Sequence, residues 1–240
     1  MAITAIPQLD TATPMNPGPD LDFPYLGEFD RFTFPDPLSA RGNIVAVGGN
    51  LSPGMLLSAY EQGIFPWFSE DDPIIWQSPD PRCVIFPDKL HCSQSMKKIL
   101  SQGIFEISCN RDFAAVINAC GSINRPGQDG TWITEDMIKA YIELFHLGYA
   151  CSAEAWQHGT LAGGCYGLLM RGVFFGESMF SQKPNASKAA FLTLAQNLFF
   201  AGVKFIDCQV PTPHLYSLGG EKISRAEYLT LLAETLAKGH

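Results

Sequence analysis

Three apolar runs at 151–157, 161–170 and 173–179 are separated only by short links whose turns are His158-Gly159 and Arg171-Gly172. Two-residue connections of this kind turn a strand straight back beside its predecessor. The segment therefore predicts a three-stranded antiparallel meander, and no arrangement of helices fits links so short. Residues 185–201 then read as a helix and 204–210 as another strand. A helix between two strands is the crossover that parallel pairing requires. The expected class is α/β (in the α+β sense), with a mixed sheet in the C-terminal part of the chain.

Upstream, the punctuation is helical. Ser52 is a candidate N-cap with Pro53 in the first turn; Met55, Leu56 and Tyr60 follow at helical spacing and Gly63 closes the segment. Ser93 predicts a helix ending near Gly103, Asn110 one ending at Gly121, and Thr134 one reaching Gly148 with Met137, Tyr141, Leu144 and Phe145 on one face. Asn124 to Gly130 reads as a turn-rich loop, and 64–82, dense in Pro, Trp and Phe, as an ordered loop and edge strand. Ser224 with Glu227 forms a capping box for a terminal helix that packs Tyr228, Leu231 and Leu232. Residues 1–27, rich in Pro, Asp, Thr and Ala, read as a flexible arm. A Pro-rich linker (Pro79, Pro81, Pro87) suggests a small domain over 28–82 and a larger one over 83–240.

Composition narrows the chemistry. Hydrophobic residues make up 46% and charged residues 17%, enough apolar material for a sizeable core. No apolar run approaches the ~20 residues of a spanning helix, since Thr193, Gln196 and Asn197 interrupt 189–203; no membrane partner is expected. The seven cysteines (Cys83, Cys92, Cys109, Cys120, Cys151, Cys165, Cys208) contain no C-x-x-C pair, which suits a reducing cytoplasm. The five His lack metal-ligand spacing, and neither a P-loop nor a dinucleotide fingerprint is present. No metal and no nucleotide cofactor is expected. A net charge of −8 means that any contact with nucleic acid must be a local basic patch.

Two acids stand in apolar strands. Asp207 lies mid-strand in Phe205-Ile206-Asp207-Cys208-Gln209-Val210, and period two puts Gln209 on its face. Glu177 follows Phe174-Phe175-Gly176. A carboxylate in such company acquires a perturbed pKa, which suits proton transfer. Trp67 and Trp132, on expected loops, could stack a nucleobase. Arg82, Lys89, Lys97 and Lys98 share a short span with one acid, Asp88, and form the candidate phosphate patch.

Several segments together resemble one family, the leucyl/phenylalanyl-tRNA–protein transferases. They are Gly48-Gly49-Asn50-Leu51-Ser52-Pro53, Tyr60 with Gly63-Ile64-Phe65-Pro66-Trp67-Phe68, Trp76 with Ser78-Pro79-Asp80-Pro81-Arg82, and Gly130-Thr131-Trp132-Ile133-Thr134. Phe175-Gly176-Glu177-Ser178-Met179-Phe180-Ser181, Asn185-Ala186-Ser187-Lys188 and Ile206-Asp207-Cys208-Gln209-Val210 follow in the same order. The resemblance covers roughly residues 34–232. It implies a small N-terminal domain and a C-terminal catalytic domain with a mixed sheet like that of the GCN5-related N-acetyltransferases.

The implied reaction moves Leu or Phe, less well Met, from a charged tRNA to proteins beginning with Arg or Lys, marking them for N-end rule degradation. The expected partners are thus Leu-tRNA, Phe-tRNA and those acceptor proteins, with the enzyme a monomer. By similarity Asp207, Gln209 and Glu177 act on the acceptor amine. Trp67, Trp132 and Tyr141 surround the terminal adenosine, and Cys165, Phe174, Gly176, Ser178, Met179 and Ile206 line the donor side-chain pocket. The chain departs from the family pattern at Gln94 and Gln182, where basic residues are usual, and at Cys165, often Met. An acyl-CoA-dependent N-acyltransferase is the alternative, although 181–184 lacks the glycines of a pyrophosphate turn; a non-catalytic RNA-binding module is another. Replacing Lys97 and Lys98 together by Ala should weaken tRNA binding and lower the slope of log K against log salt; an unchanged slope would place the patch elsewhere.

Overall fold

The computed structural model describes residues 20, 22–123 and 132–238. The turn-rich loop expected at 124–130 lies outside them. In the N-terminal part, β1 (Ile44–Val47), β2 (Phe65–Pro66) and β3 (Ile75–Gln77) form a small antiparallel sheet in the order β1-β3-β2, with α1 (Pro53–Glu61) between β1 and β2 in sequence. The chain continues through β4 (Arg82–Ile85), α2 (Gln94–Ser101), β5 (Glu106–Cys109), α3 (Phe113–Ser122) and α4 (Glu135–His146). The meander follows as β6 (Ala150–Gln157), β7 (Thr160–Met170) and β8 (Val173–Ser181). Then come α5 (Ala186–Phe200), β9 (Phe205–Asp207), α6 (Pro213–Ser217), β10 (Glu221–Ile223) and α7 (Arg225–Lys238).

The large sheet has seven strands in the order β10-β4-β9-β8-β7-β6-β5. Only β8 and β9 run parallel, and α5 makes the crossover between them. The mixed sheet and the meander thus form as expected. Both hairpin turns hold two residues at positive φ (His158 52° with Gly159 75°, Arg171 42° with Gly172 90°), the backbone of the turns whose twist matches paired strands. Neighbouring residues of the sheet feed opposite faces. Phe175 and Tyr166 join a core with α1, α3, α4 and α7, while Phe174 and Cys165 join one with α2 and α5. The first of these cores runs without a break from Phe34 and Trp76 beside the small sheet to Val84 and Tyr228. Among the described residues no helix is long and apolar enough to cross a membrane.

Several local expectations are corrected. Arg82, assigned from sequence to the end of the small domain, begins β4 of the large sheet. Part of the expected arm is tied down: the Leu26 amide donates to Ser52 Oγ (3.1 Å), the Gly54 amide to the Leu26 carbonyl (2.9 Å), and Asn50 Nδ2 to the Phe23 carbonyl (3.1 Å). Asp112, not Asn110, caps α3, accepting from the Ala115 amide at 3.0 Å. Asn110 adopts a left-handed conformation (φ 57°), and its side chain accepts from the Ser152 amide. The strand expected at 204–210 ends at Asp207, because Gln209 turns to φ 53°.

Arg82 also corrects the phosphate patch. Its side chain is 1% exposed and Asp207 is 0% exposed. Nε and Nη2 donate to the two Asp207 oxygens at 2.9 and 2.6 Å, and Nη1 donates to the Gly63 carbonyl at 3.1 Å. The guanidinium carbon lies 4.3 Å from the centre of the Tyr228 ring and 4.9 Å from that of Phe65. A cation so enclosed has no face left for a phosphate. Removing one partner of a buried pair leaves the other charge uncompensated, so Arg82→Ala should lower stability by roughly 3–5 kcal/mol. Urea unfolding measures this; a loss below about 1 kcal/mol, the range of an exposed pair, would contradict it.

Candidate functional site

A cavity of about 500 Å³ opens where β8, β9 and α6 meet. Trp67, Trp132, Cys165, Phe174, Gly176, Ser178 and Met179 line it, together with Glu177 and Gln209. The other seven expected residues, Arg82 among them, lie elsewhere. Ile206 is fully buried behind Gly176, 4.0 Å from where a Cβ on that glycine would stand. Asp207 is enclosed by Arg82 and Tyr228, and the Tyr228 hydroxyl donates to it at 2.8 Å. Tyr141 is 0% exposed and so offers no face to an adenosine. Lys89 is exposed beside Asp88, with nitrogen and oxygen 3.9 Å apart. Lys97 and Lys98 are exposed on α2.

The route by which Glu177 reaches the cavity is a β-bulge. On β7, Tyr166 pairs with Ser178 and Gly167 with Gly176, so Glu177 has no partner across the ladder. An extra residue bends its strand and re-aims a side chain. The bulge draws the two strands so close that a Cβ on Gly167 would stand 2.1 Å from the Phe175 carbonyl oxygen. Glycine is required there by contact with backbone.

Glu177 then meets two donors, one of them backed by a third group. Tyr141 Oη donates to Oε2 at 3.1 Å, Gln209 Nε2 donates to Oε1 at 3.2 Å, and the Tyr141 hydroxyl is itself hydrogen-bonded to that of Tyr60. Burial pushes the Glu177 carboxyl up to about 7, against the opposing pull of its tyrosine hydrogen bonds. Burial likewise raises both tyrosines well above their ordinary value, with the Glu177 charge adding to the effect, so both stay protonated donors.

Gln209 joins the two acids. Its backbone N–H donates to Asp207 Oδ1 at 2.9 Å while its side-chain amide reaches Glu177. The left-handed conformation is unusual for a residue other than glycine. It is held at both ends of the peptide: the Cys83 amide donates to the Gln209 carbonyl and the Cys208 amide to the Cys83 carbonyl, each at 2.9 Å. The shared face inferred from strand period is therefore corrected; a turn, rather than alternation, brings Gln209 and Asp207 together.

Sequence reasoning missed the α6 wall. Thr212, Pro213 and the Leu215 amide that donates to Thr212 Oγ1 (3.2 Å) make an ordinary N-cap, a signal legible in Thr-Pro but attached to a helix of only five residues. From it His214 lines the cavity, with Nε2 3.2 Å from Met179 Sδ. Burial, aided by Lys188, lowers its pKa and favours the neutral ring. Phe65, Phe191, Cys208, Val210 and Leu215 add to the apolar lining.

An apolar cavity beside one weakly acidic carboxyl, with no cation in its described lining, suits the class of proteins that hold an apolar group beside a proton acceptor. The comparisons with known proteins make that class specific. The model of the family described as leucyl/phenylalanyl-tRNA protein transferase matches residues 84–233, and that of its N-terminal domain matches 49–80. A leucyl/phenylalanyl-tRNA–protein transferase of Myxococcus xanthus is 50% identical over 204 residues, covering 85% of this chain and 87% of its own. That of Pseudomonas fluorescens is 50% identical over 216 residues (90% and 92%), and that of Syntrophotalea carbinolica 51% over 205 (85% and 89%). The chain belongs to the leucyl/phenylalanyl-tRNA–protein transferase family and is a tRNA-dependent aminoacyltransferase. Among solved structures, a GCN5-related N-acetyltransferase from Kribbella flavida overlaps at 11% identity and a TM-score of 0.39, covering 72% of this chain and 62% of that one, too slight a likeness to bear on function.

Proposed function

We propose that the enzyme transfers Leu or Phe, and less well Met, from aminoacyl-tRNA to the α-amino group of proteins that begin with Arg or Lys, and so marks them for N-end rule degradation. One observation carries this reading: Glu177, among the described residues the only carboxyl group lining the apolar cavity, is held by Gln209 and pushed up to about 7 by burial. The aminoacyl ester is already activated, so no nucleotide is needed. What the reaction lacks is a neutral amine in the right place.

Glu177, ionised, takes a proton from the acceptor ammonium. The amine then attacks the ester carbonyl, the C–N bond forms, and the C–O bond to the ribose breaks. The first proton leaves Glu177 for solvent; as the C–N bond forms, Glu177 takes the second proton from the nitrogen and passes it to the departing ribose oxygen, so one proton is released overall and charge balances. Asp207, neutralised by Arg82, serves as the anchor of Gln209 rather than as the base. Of the two strand acids, Glu177 alone lines the cavity. Trp67 and Trp132 flank the adenosine, and Cys165, Phe174, Gly176, Ser178 and Met179 receive the donor side chain. A wall of this kind separates Leu, Phe and Met only weakly, since one methylene is worth about 1–3 kcal/mol.

The direct test offers Phe-tRNA, Leu-tRNA or acetyl-CoA with a peptide beginning in Arg; consumption of acetyl-CoA alone would overturn the reading. The pH dependence follows from the direction of the Glu177 shift. The raised pKa keeps the base protonated and idle below about 7, so transfer should rise as pH passes through that value. In Glu177→Gln the rate should fall on the order of 10²-fold or more. The remaining rise should move to the amine's own pKa near ~8. A variant that keeps the rise near 7 would exclude Glu177 as the base.

A further inference from the structure

A second cavity, of about 410 Å³, lies on the other side of the wall formed by α5 and α6. Successive residues of that wall divide between the two. His214 and Leu215 face the first cavity, whereas Tyr216, Ser217 and Leu218 face the second; on α5, Phe191 faces the first and Lys188 and Leu192 the second. Its base is apolar, with Met96, Leu192 and Leu218 buried. The His91 amide donates to the Leu218 carbonyl at 3.0 Å and fixes the opposite side. Its rim is polar and aromatic: His91, Ser93, Lys188 and the 42% exposed Tyr216.

The charges are one-sided. On a chain of net charge −8, no carboxylate lines this cavity. Lys188 is half-buried and forms no ion pair or hydrogen bond among the described residues, yet its charge is felt by His214 across the wall. A second cation, Lys222, lies 5.6 Å from the Tyr216 ring. An ammonium without a partner among the described residues, in a cavity with an aromatic rim and an apolar base, fits a ligand that has a phosphate near the shared wall and a stacking group beside it.

We propose that this cavity binds the nucleotide preceding the terminal adenosine of the donor tRNA, with Lys188 on the phosphodiester that joins the two. The inference rests on the reading of the first cavity as the site of the aminoacyl-adenosine. From there a polynucleotide must leave through a phosphate on its 5′ side, and Lys188 lines the second cavity from α5, the helix that also gives Phe191 to the first. The contact adds affinity for the donor and leaves the reacting atoms untouched.

Two short donors separate this role from any other. Phenylalanyl-adenosine has no internucleotide phosphate, and phenylalanyl-CpA adds one nucleotide and one phosphodiester. The wild-type enzyme should show a KM roughly tenfold lower for the longer donor, the scale of one charge-assisted contact. Lys188→Ala should erase that difference by raising the KM of phenylalanyl-CpA alone, with kcat kept, and Lys188→Arg should restore most of it. With intact Phe-tRNA, the salt slope should fall by about 0.7 in Lys188→Ala, as for one single-strand phosphate contact. The proposal is overturned if the wild type does not distinguish the two donors, if the preference survives in Lys188→Ala, or if KM rises equally for both or only for the acceptor peptide. Transfer from neither short donor nor Phe-tRNA by the wild type would instead remove the reading of the first cavity on which it rests.

Discussion

The buried pair of Arg82 and Asp207 is the contact on which the rest of the site depends. Arg82 starts β4 and Asp207 ends β9, adjacent strands joined at 2.9 and 2.6 Å through both carboxylate oxygens. The guanidinium also holds the Gly63 carbonyl after α1 and faces Phe65 of the small sheet and Tyr228 of α7. One side chain thus ties the small sheet, the large sheet and the terminal helix. Such a pair gains little over an apolar replacement of the pair as a whole, but each partner makes the other's absence costly. Its value here is geometric: it fixes where β9 stops and what comes next.

What comes next is Gln209, bonded backward to Asp207 and forward to Glu177, which in turn joins Tyr141 and, through it, Tyr60 on α1. The two acids are separated by environment. Asp207 has a cation in bidentate contact and no exposure, while Glu177 has neutral donors and the open cavity. Placing two carboxyls in unlike surroundings is a general way of assigning one to structure and the other to proton transfer.

Much of the fold was legible because it is written in local chemistry. The hairpins at His158-Gly159 and Arg171-Gly172 and the crossover helix dictate a mixed sheet, and the capping box at Ser224 forms as expected, with the Ser224 amide donating to Glu227 at 2.8 Å. The long-range contacts were not legible. Arg82 sits near Lys89, Lys97 and Lys98 in sequence, which suggested a common basic patch, yet its partner is 125 residues away. The bulge at Glu177 is a one-residue slip between β7 and β8 that alternation alone cannot reveal, and only the crowding at Gly167 shows why it is tolerated. Gln209 adopts positive φ without being glycine, so no composition signal marks the turn. The α6 wall was missed because five residues carry too little periodicity.

The central claim is that Asp207 anchors and Glu177 accepts the proton. The most direct measurement is the pH profile of transfer from Phe-tRNA by Asp207→Asn, taken under conditions where circular dichroism shows the variant folded. An asparagine oxygen can still accept from the Gln209 amide and from Arg82, so the account predicts lowered stability, transfer within about tenfold of wild type, and a rise still centred near pH 7. A folded Asp207→Asn enzyme with transfer abolished, or with the rise near 7 gone, would contradict it.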